Sequence, residues 1–243
     1  MKNRIGRIGY LLLIVSGLLI LSGCGGDGDS LEDQLSTRVR AVNLAVDMPE
    51  VNVRYHSPQK TIEGVAYKDA TAYASLRPWT IITFEDNAGQ EIARLEEPDF
   101  PYDVDNTVYL VNRSGSYEVI QSEDEHFSHA ANATIRFVQA CADAPSIDLR
   151  ADLIATPLLA NQTFKDISDS ILITPGEYNF IITEEGDSSG TLARFESITL
   201  AADKVYTIIL LGTLDETDAF ELGIRVFEDT GNESIATDLS VIP

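Results

Sequence analysis

Apolar residues along this chain fall into short runs rich in β-branched and aromatic side chains. The clearest are WTIITFED (79–86), NTVYLVN (106–112), EYNFIITEE (177–185), KVYTIILLG (204–212) and FELGIRVFED (220–229). Turn-forming clusters bound them, among them Asp86-Asn87-Ala88-Gly89, Gly186-Asp187-Ser188-Ser189-Gly190 and Asp215-Glu216-Thr217-Asp218. Short apolar runs between such breakers predict β-strands. No long helical period occurs after the first 23 residues. Many short strands joined by tight turns predict β-sandwiches.

The same phrase is written twice. RVRAVNLAVDMPEVNVR (38–54) lies on TIRFVQACADAPSIDLR (134–150) without a gap, 96 positions on. Arg40 falls on Arg136, Val42 on Val138, Asp47 on Asp143, Pro49 on Pro145 and Arg54 on Arg150. With the register moved by one, Tyr67-Lys68-Asp69 matches Phe164-Lys165-Asp166, Pro78 matches Pro175, and Val108-Tyr109 matches Val205-Tyr206. Matches in the same order at nearly constant spacing indicate a duplication whose unit is the size of one small β domain. Each copy places Asp-x-Pro between two strands. Proline removes a ladder donor and aspartate favours a turn, so the pair redirects the chain. The polar stretch SEDEHFSHAAN (122–132) separates the copies. The domains are expected at 37–126 and 127–232, with a C-terminal tail at 233–243.

The first 23 residues differ in kind. MKNRIGR is basic, IGYLLLIVSGLLI is apolar, and LSGC follows at 21–24. The apolar run is short for a spanning helix and ends in small residues, as cleaved signals do. It resembles a bacterial lipoprotein signal, which implies cleavage before Cys24 and lipidation of that cysteine. Several acyl chains anchor a soluble domain stably. Gly25 follows, not the aspartate that resembles an inner-membrane retention signal, so the expected location is the bacterial cell envelope, at the outer membrane where the host has two. Residues 24–36, rich in glycine and acid, read as a flexible tether. With Cys24 lipidated, Cys141 has no disulfide partner in the chain.

Three further stretches carry a resemblance. ADAPSIDL (142–149), TPGEYNFII (174–182) and AADKVYTIILLG (201–212) resemble domain of unknown function 4397, a family of secreted or envelope-anchored bacterial modules often found in tandem. VDMPEVNV (46–53) and NTVYLVN (106–112) fit it more loosely. The resemblance implies two tandem immunoglobulin-like or transthyretin-like β-sandwiches, an all-β fold, and no activity. It departs at Asn43 and Gln139, where the family commonly has histidine, at Asn52, which stands against Asp148 of the second copy, and at Trp79, which stands against Gly176.

The chain holds 39 acidic and 17 basic residues, a net charge of −22. Such a body repels nucleic acid and anionic lipid headgroups and suits solubility, divalent cations or basic partners.

Candidate chemistry is sparse. Cys141 stands beside Asp143 and Asp148, but its counterpart is Ala45, and acidic neighbours do not activate a thiol; it reads as a small packing residue. Asp47 and Asp143 can be calcium ligands or turn formers, and the turn reading is preferred. Asp103 and Asp105, and Asp215 and Asp218, form oxygen-rich loop clusters that could hold calcium, the one cofactor considered, or could be solvated acidic loops. His126 and His129, with Glu123 and Glu125 close by, could ligate zinc, though a linker carries that spacing easily. The chain has three histidines, and no G-x-S-x-G, P-loop or H-E-x-x-H motif. Trp79, the only tryptophan, is a candidate partner anchor, with packing at a strand start or between domains as the alternative.

The expected function is therefore a non-enzymatic, lipid-anchored envelope protein that binds glycan or another envelope protein. The alternative is a structural lipoprotein self-associating through β edges. An envelope hydrolase is the least supported reading.

Overall fold

The computed structural model describes residues 36–96, 98, 100–124, 129–152, 154–214, 220–229 and 234–242. The leader, Cys24 and the tether before residue 36 lie outside these, as do His126, Asp215 and Asp218. No helix among the described residues is long and apolar enough to cross a membrane.

The first domain runs through β1 (Thr37–Asn43), β2 (Glu50–His56), β3 (Gln59–Ala66), β4 (Ala74–Leu76), β5 (Ile82–Glu85), β6 (Glu91–Leu95), β7 (Asp105–Arg113) and β8 (Ser116–Asp124). They form two sheets, ordered β4-β1-β7-β8 and β3-β2-β5-β6. The second domain runs through β9 (Ala133–Gln139), β10 (Ile147–Ala151), β11 (Leu159–Gln162), β12 (Ile171–Ile173), β13 (Gly176–Glu184), β14 (Thr191–Leu200), β15 (Val205–Leu211), β16 (Gly223–Asp229) and β17 (Ser234–Ser240). Its sheets are ordered β12-β9-β15-β16-β17 and β11-β10-β13-β14. Both expected sandwiches are present. The stretch expected as a tail instead forms β17, which pairs antiparallel with β16 from Gly223↔Ser240 to Asp229↔Ser234. Its side chains alternate, and Leu239 fills the second domain's core.

The repeated phrase builds the same device twice. β1 ends, the Asp-x-Pro link follows, and β2 begins in the opposite sheet; β9 and β10 repeat this. The opening strand of each copy lies parallel to a late strand, β1 beside β7 and β9 beside β15. Backbone bonds recur in detail. Lys68 N–H donates to Asn43 O and Lys165 N–H to Gln139 O, each at 2.8 Å. Both lysines have positive φ, 73° and 80°.

The late strands need a different alignment from the one the words suggest. Arg40 pairs with Thr107 and Arg136 with Thr207. Val108 is thus equivalent to Ile208, not Val205, although the expected Val-Tyr match looked sound. Intervening loops differ in length between the copies, and hydrogen-bond register, not matching letters, decides equivalence.

The central strands are buried on both faces. Val39 and Ala41 of β1, with Val108 and Leu110 of β7, face the first domain's own core. Ile135 and Phe137 of β9, with Ile208 and Leu210 of β15, face the core of the second. The intervening residues Val42, Tyr109, Val111, Val138, Ile209 and Leu211 form a third core between the domains. The four sheets therefore stack as consecutive layers, with the β1–β7 and β9–β15 sheets back to back in the middle. That is why these strands read as nearly continuous apolar runs: alternation needs one wet face, and they have none.

Candidate functional site

The interdomain layer also buries charge. Arg40 and Arg136, at the same position in the two copies, are 1% and 6% exposed. Arg40 of the first domain lies 2.7 Å from Asp229 of the second, and Arg136 of the second lies 2.7 Å from Asp124 of the first. The register makes the aspartates equivalent, because each ends the strand that follows its copy's parallel strand. Threonines complete both arrangements. Thr107 donates to Asp124 at 2.5 Å and Thr207 donates to Asp229 at 2.9 Å. Arg40 donates to Thr107 at 2.7 Å and Arg136 to Thr207 at 3.1 Å. Tyr73 adds a bond to Asp124 at 2.7 Å.

Burial disfavours the charges of Arg40, Arg136 and Asp124, and pairing outweighs it. Burial alone would lower the Arg40 and Arg136 pKa values, but both rise: Asp229 and Asp124 hold Arg40 charged, and Tyr109 and Asp124 hold Arg136. Burial would raise Asp124, but Arg40 and Arg136 together hold it below the usual carboxylate range. All four charged side chains are buried between the domains.

A more accessible feature lies at one end of the same interface. An open cleft of about 420 Å³ is lined by both copies, including Asp47, Asn112 and Arg113 from the first and Ala142, Asp143 and Gly212 from the second. Asp47 accepts from Asn112 Nδ2 at 2.8 Å, and Asp143 accepts from the backbone N–H of Leu214 at 2.9 Å. The two Asp-x-Pro aspartates thus tie each link to the chain leaving its parallel strand. Neither bond is the local one to its own backbone that a turn former makes. Arg113 crosses the domain boundary, donating to Ala142 O at 3.0 Å with its guanidinium 4.8 Å from the Phe164 ring centre. Gly212 (φ 89°) leaves no room for a side chain, since a Cβ would meet Glu221 O at 2.2 Å.

A pocket of about 320 Å³ adjoins the cleft at Thr213 and is lined by Leu192, Leu222 and Leu239 together with Lys68, Glu221 and Asp238. The duplication has diverged here. Lys165 makes an ion pair with Glu118 of the first domain at 2.8 Å. The position in the second domain equivalent to Glu118 is Gly223, and Lys68 and Gly223 line this pocket.

The other candidates are scattered. Asp105 is buried and ion-paired with Arg38, while Asp103 sits at a turn with φ 57°. Among the described residues no three His, Cys, Asp or Glu side chains are placed to hold a metal. Cys141 is fully buried in the second domain's core, as Ala45 is in the first. Burial first, then Asp143 at 3.1 Å, push its thiol pKa up, away from reactivity. His129 closes a short turn onto Asn132. Trp79 is 54% exposed and is not part of the interdomain core. A side-chain carbonyl from Asn43 or Gln139, at the family's histidine position, accepts the N–H of Ala45 or Cys141, two residues on.

The sequence reading missed the crossed Arg–Asp network. Its signal was available: an arginine inside each repeated opening strand, and Glu-Asp closing both SYEVIQSED and GIRVFED.

A family model described as a domain of unknown function (DUF4397) matches this chain twice, over residues 37–150 and 133–242. No curated protein matches the chain.

Proposed function

Since the chain belongs to the DUF4397 family and carries its domain twice, we propose that it is a non-enzymatic, lipid-anchored envelope protein. It binds a glycan or another envelope protein at the end where the two Asp-x-Pro links meet. The observation that carries the reading is the cleft lined by both copies and held open by bonds from Asp47, Asp143 and Arg113. Concave, preformed sites between domains are where ligands commonly bind. Lipidation at Cys24 and the acidic tether 24–36 would hold the domains at a membrane surface by the start of β1, leaving the cleft at the other end of that strand. The sequence motifs of hydrolases are lacking, and the Cys141 thiol lies in the core.

The test compares the soluble chain from residue 25 onward with its Ala142→Trp variant, which fills the cleft. Both are applied to purified envelope glycans and to membrane proteins of the producing cells. Specific retention by the parent chain and its loss in the variant are expected. Retention of nothing, or equal retention by both chains, would sink the reading.

A further inference from the structure

The contacts between the two domains are reciprocal. Arg40 of copy one meets Asp229 of copy two, and Arg136 of copy two meets Asp124 of copy one. Each aspartate is oriented by the threonine of its own copy, Thr107 or Thr207. Val42 and Val138, occupying equivalent positions, both lie in the shared core. A contact in which patch i meets patch j, and patch j meets patch i, is the signature of a twofold dimer interface. Here it occurs within one chain. The reciprocity does not extend to every contact: Lys165–Glu118, Arg225–Asp69 and Arg113–Ala142 also cross the boundary, and their arginine or glutamate positions are Gly223, Ile120 and Thr213 in the other copy.

We infer that the face shared by the domains is an isologous association surface, and that its occupant is a second copy of the same domain. Within one chain that copy is the other half, so the polypeptide is a linked pseudo-dimer held together by this face and not by the stretch between Asp124 and Ala133. The strand faces that meet are apolar beyond the crossed pairs, from Val42, Tyr109, Val138 and Ile209 onward. Three features follow: water is excluded, each arginine has one partner of opposite charge across the boundary, and a shifted or inverted docking would bury an unpaired charge. The crossed pairs therefore set the docking register, and the apolar residues around them supply most of the attraction. This inference goes beyond the binding role proposed above and does not depend on it, because it concerns only how the halves hold each other.

The test uses the whole chain. A protease site is inserted between Asp124 and Ala133, and the folded protein is cut there. Native mass spectrometry and sedimentation at about micromolar concentration then ask whether the halves part. They are expected to remain a pair with the mass of the uncut chain. Arg136→Glu should weaken the cut pair by at least about 100-fold. Should Arg136→Glu fail to fold, Val138→Ala serves as the milder probe and should weaken pairing about tenfold or more with the β signal in circular dichroism unchanged. Separation of the parent halves on cutting would overturn the inference. So would Arg136→Glu or Val138→Ala leaving the cut pair as tight as the parent.

Discussion

Arg136 of the second domain and Asp124 of the first are joined at 2.7 Å with both side chains almost wholly buried. Each domain contributes one charge of this pair, beside the apolar core that the two share. Such a pair does little for net stability compared with well-packed apolar residues, because both ions lose their hydration. Breaking it on one side is another matter.

Arg136→Ala leaves Asp124 in the interface with Arg40, whose Nε stands 3.9 Å away, as its remaining arginine. The expected loss is about 3–5 kcal/mol. Arg136→Met combined with Asp124→Leu should cost clearly less than the single change, since no orphaned charge remains. Denaturant midpoints for the three chains check this, and equal losses in single and double variants would refute it.

Acid should act through Asp124. Its folded pKa lies below the ordinary value of 3.8. A depressed carboxylate stabilises fully above its unfolded pKa, and that stability is lost as pH falls through the folded one. From this group, stability is expected to be flat between about pH 5 and 8 and to fall below about pH 4. Thermal melts of Asp124→Asn, measured against the parent, should be less stable at neutral pH and show a shallower decline below pH 4.

Cys141→Ala should change stability by less than about 1.5 kcal/mol, as the first copy accepts Ala45 at the same buried position. In a soluble chain lacking residues 1–24, a thiol reagent should label Cys141 at least about 100-fold faster in denaturant than in buffer. Equal labelling rates would show that the thiol is accessible in the folded protein.

Trp79 is the only tryptophan, so intrinsic fluorescence reports this position alone. At 54% exposure it should emit at long wavelength and be readily quenched by acrylamide in the folded state. Trp79→Ala should alter the melting free energy by less than about 0.5 kcal/mol. If the indole anchors a partner, its emission should move to shorter wavelength on binding.

The copies, the all-β class and the place of the Asp-x-Pro link between two strands were legible in the amino acids, but the long-range bonds of Asp47 and Asp143 were not. Strand periodicity, turn chemistry and duplication are local properties, read without knowing what packs on what. The exchange of Cys141 for Ala45 was legible for the same reason. Equivalence among the late strands was not. Val108-Tyr109 and Val205-Tyr206 share letters, but ladder register joins Thr107 to Arg40 and Thr207 to Arg136. The tail was misread because SIATDLS shows a strand only once β16 offers its edge.

By itself, then, the sequence determined one β unit used twice, with a strand–link–strand opening in each copy. Only the tertiary structure decided that Arg40 and Arg136 cross the boundary to each other's domain, and that Asp47 and Asp143 meet at one cleft. Local propensity acts over a few residues. These contacts join positions such as Arg40 and Asp229 at opposite ends of the folded chain, and what fixes them is the burial of two sheet faces back to back, with each buried charge needing a partner of opposite sign.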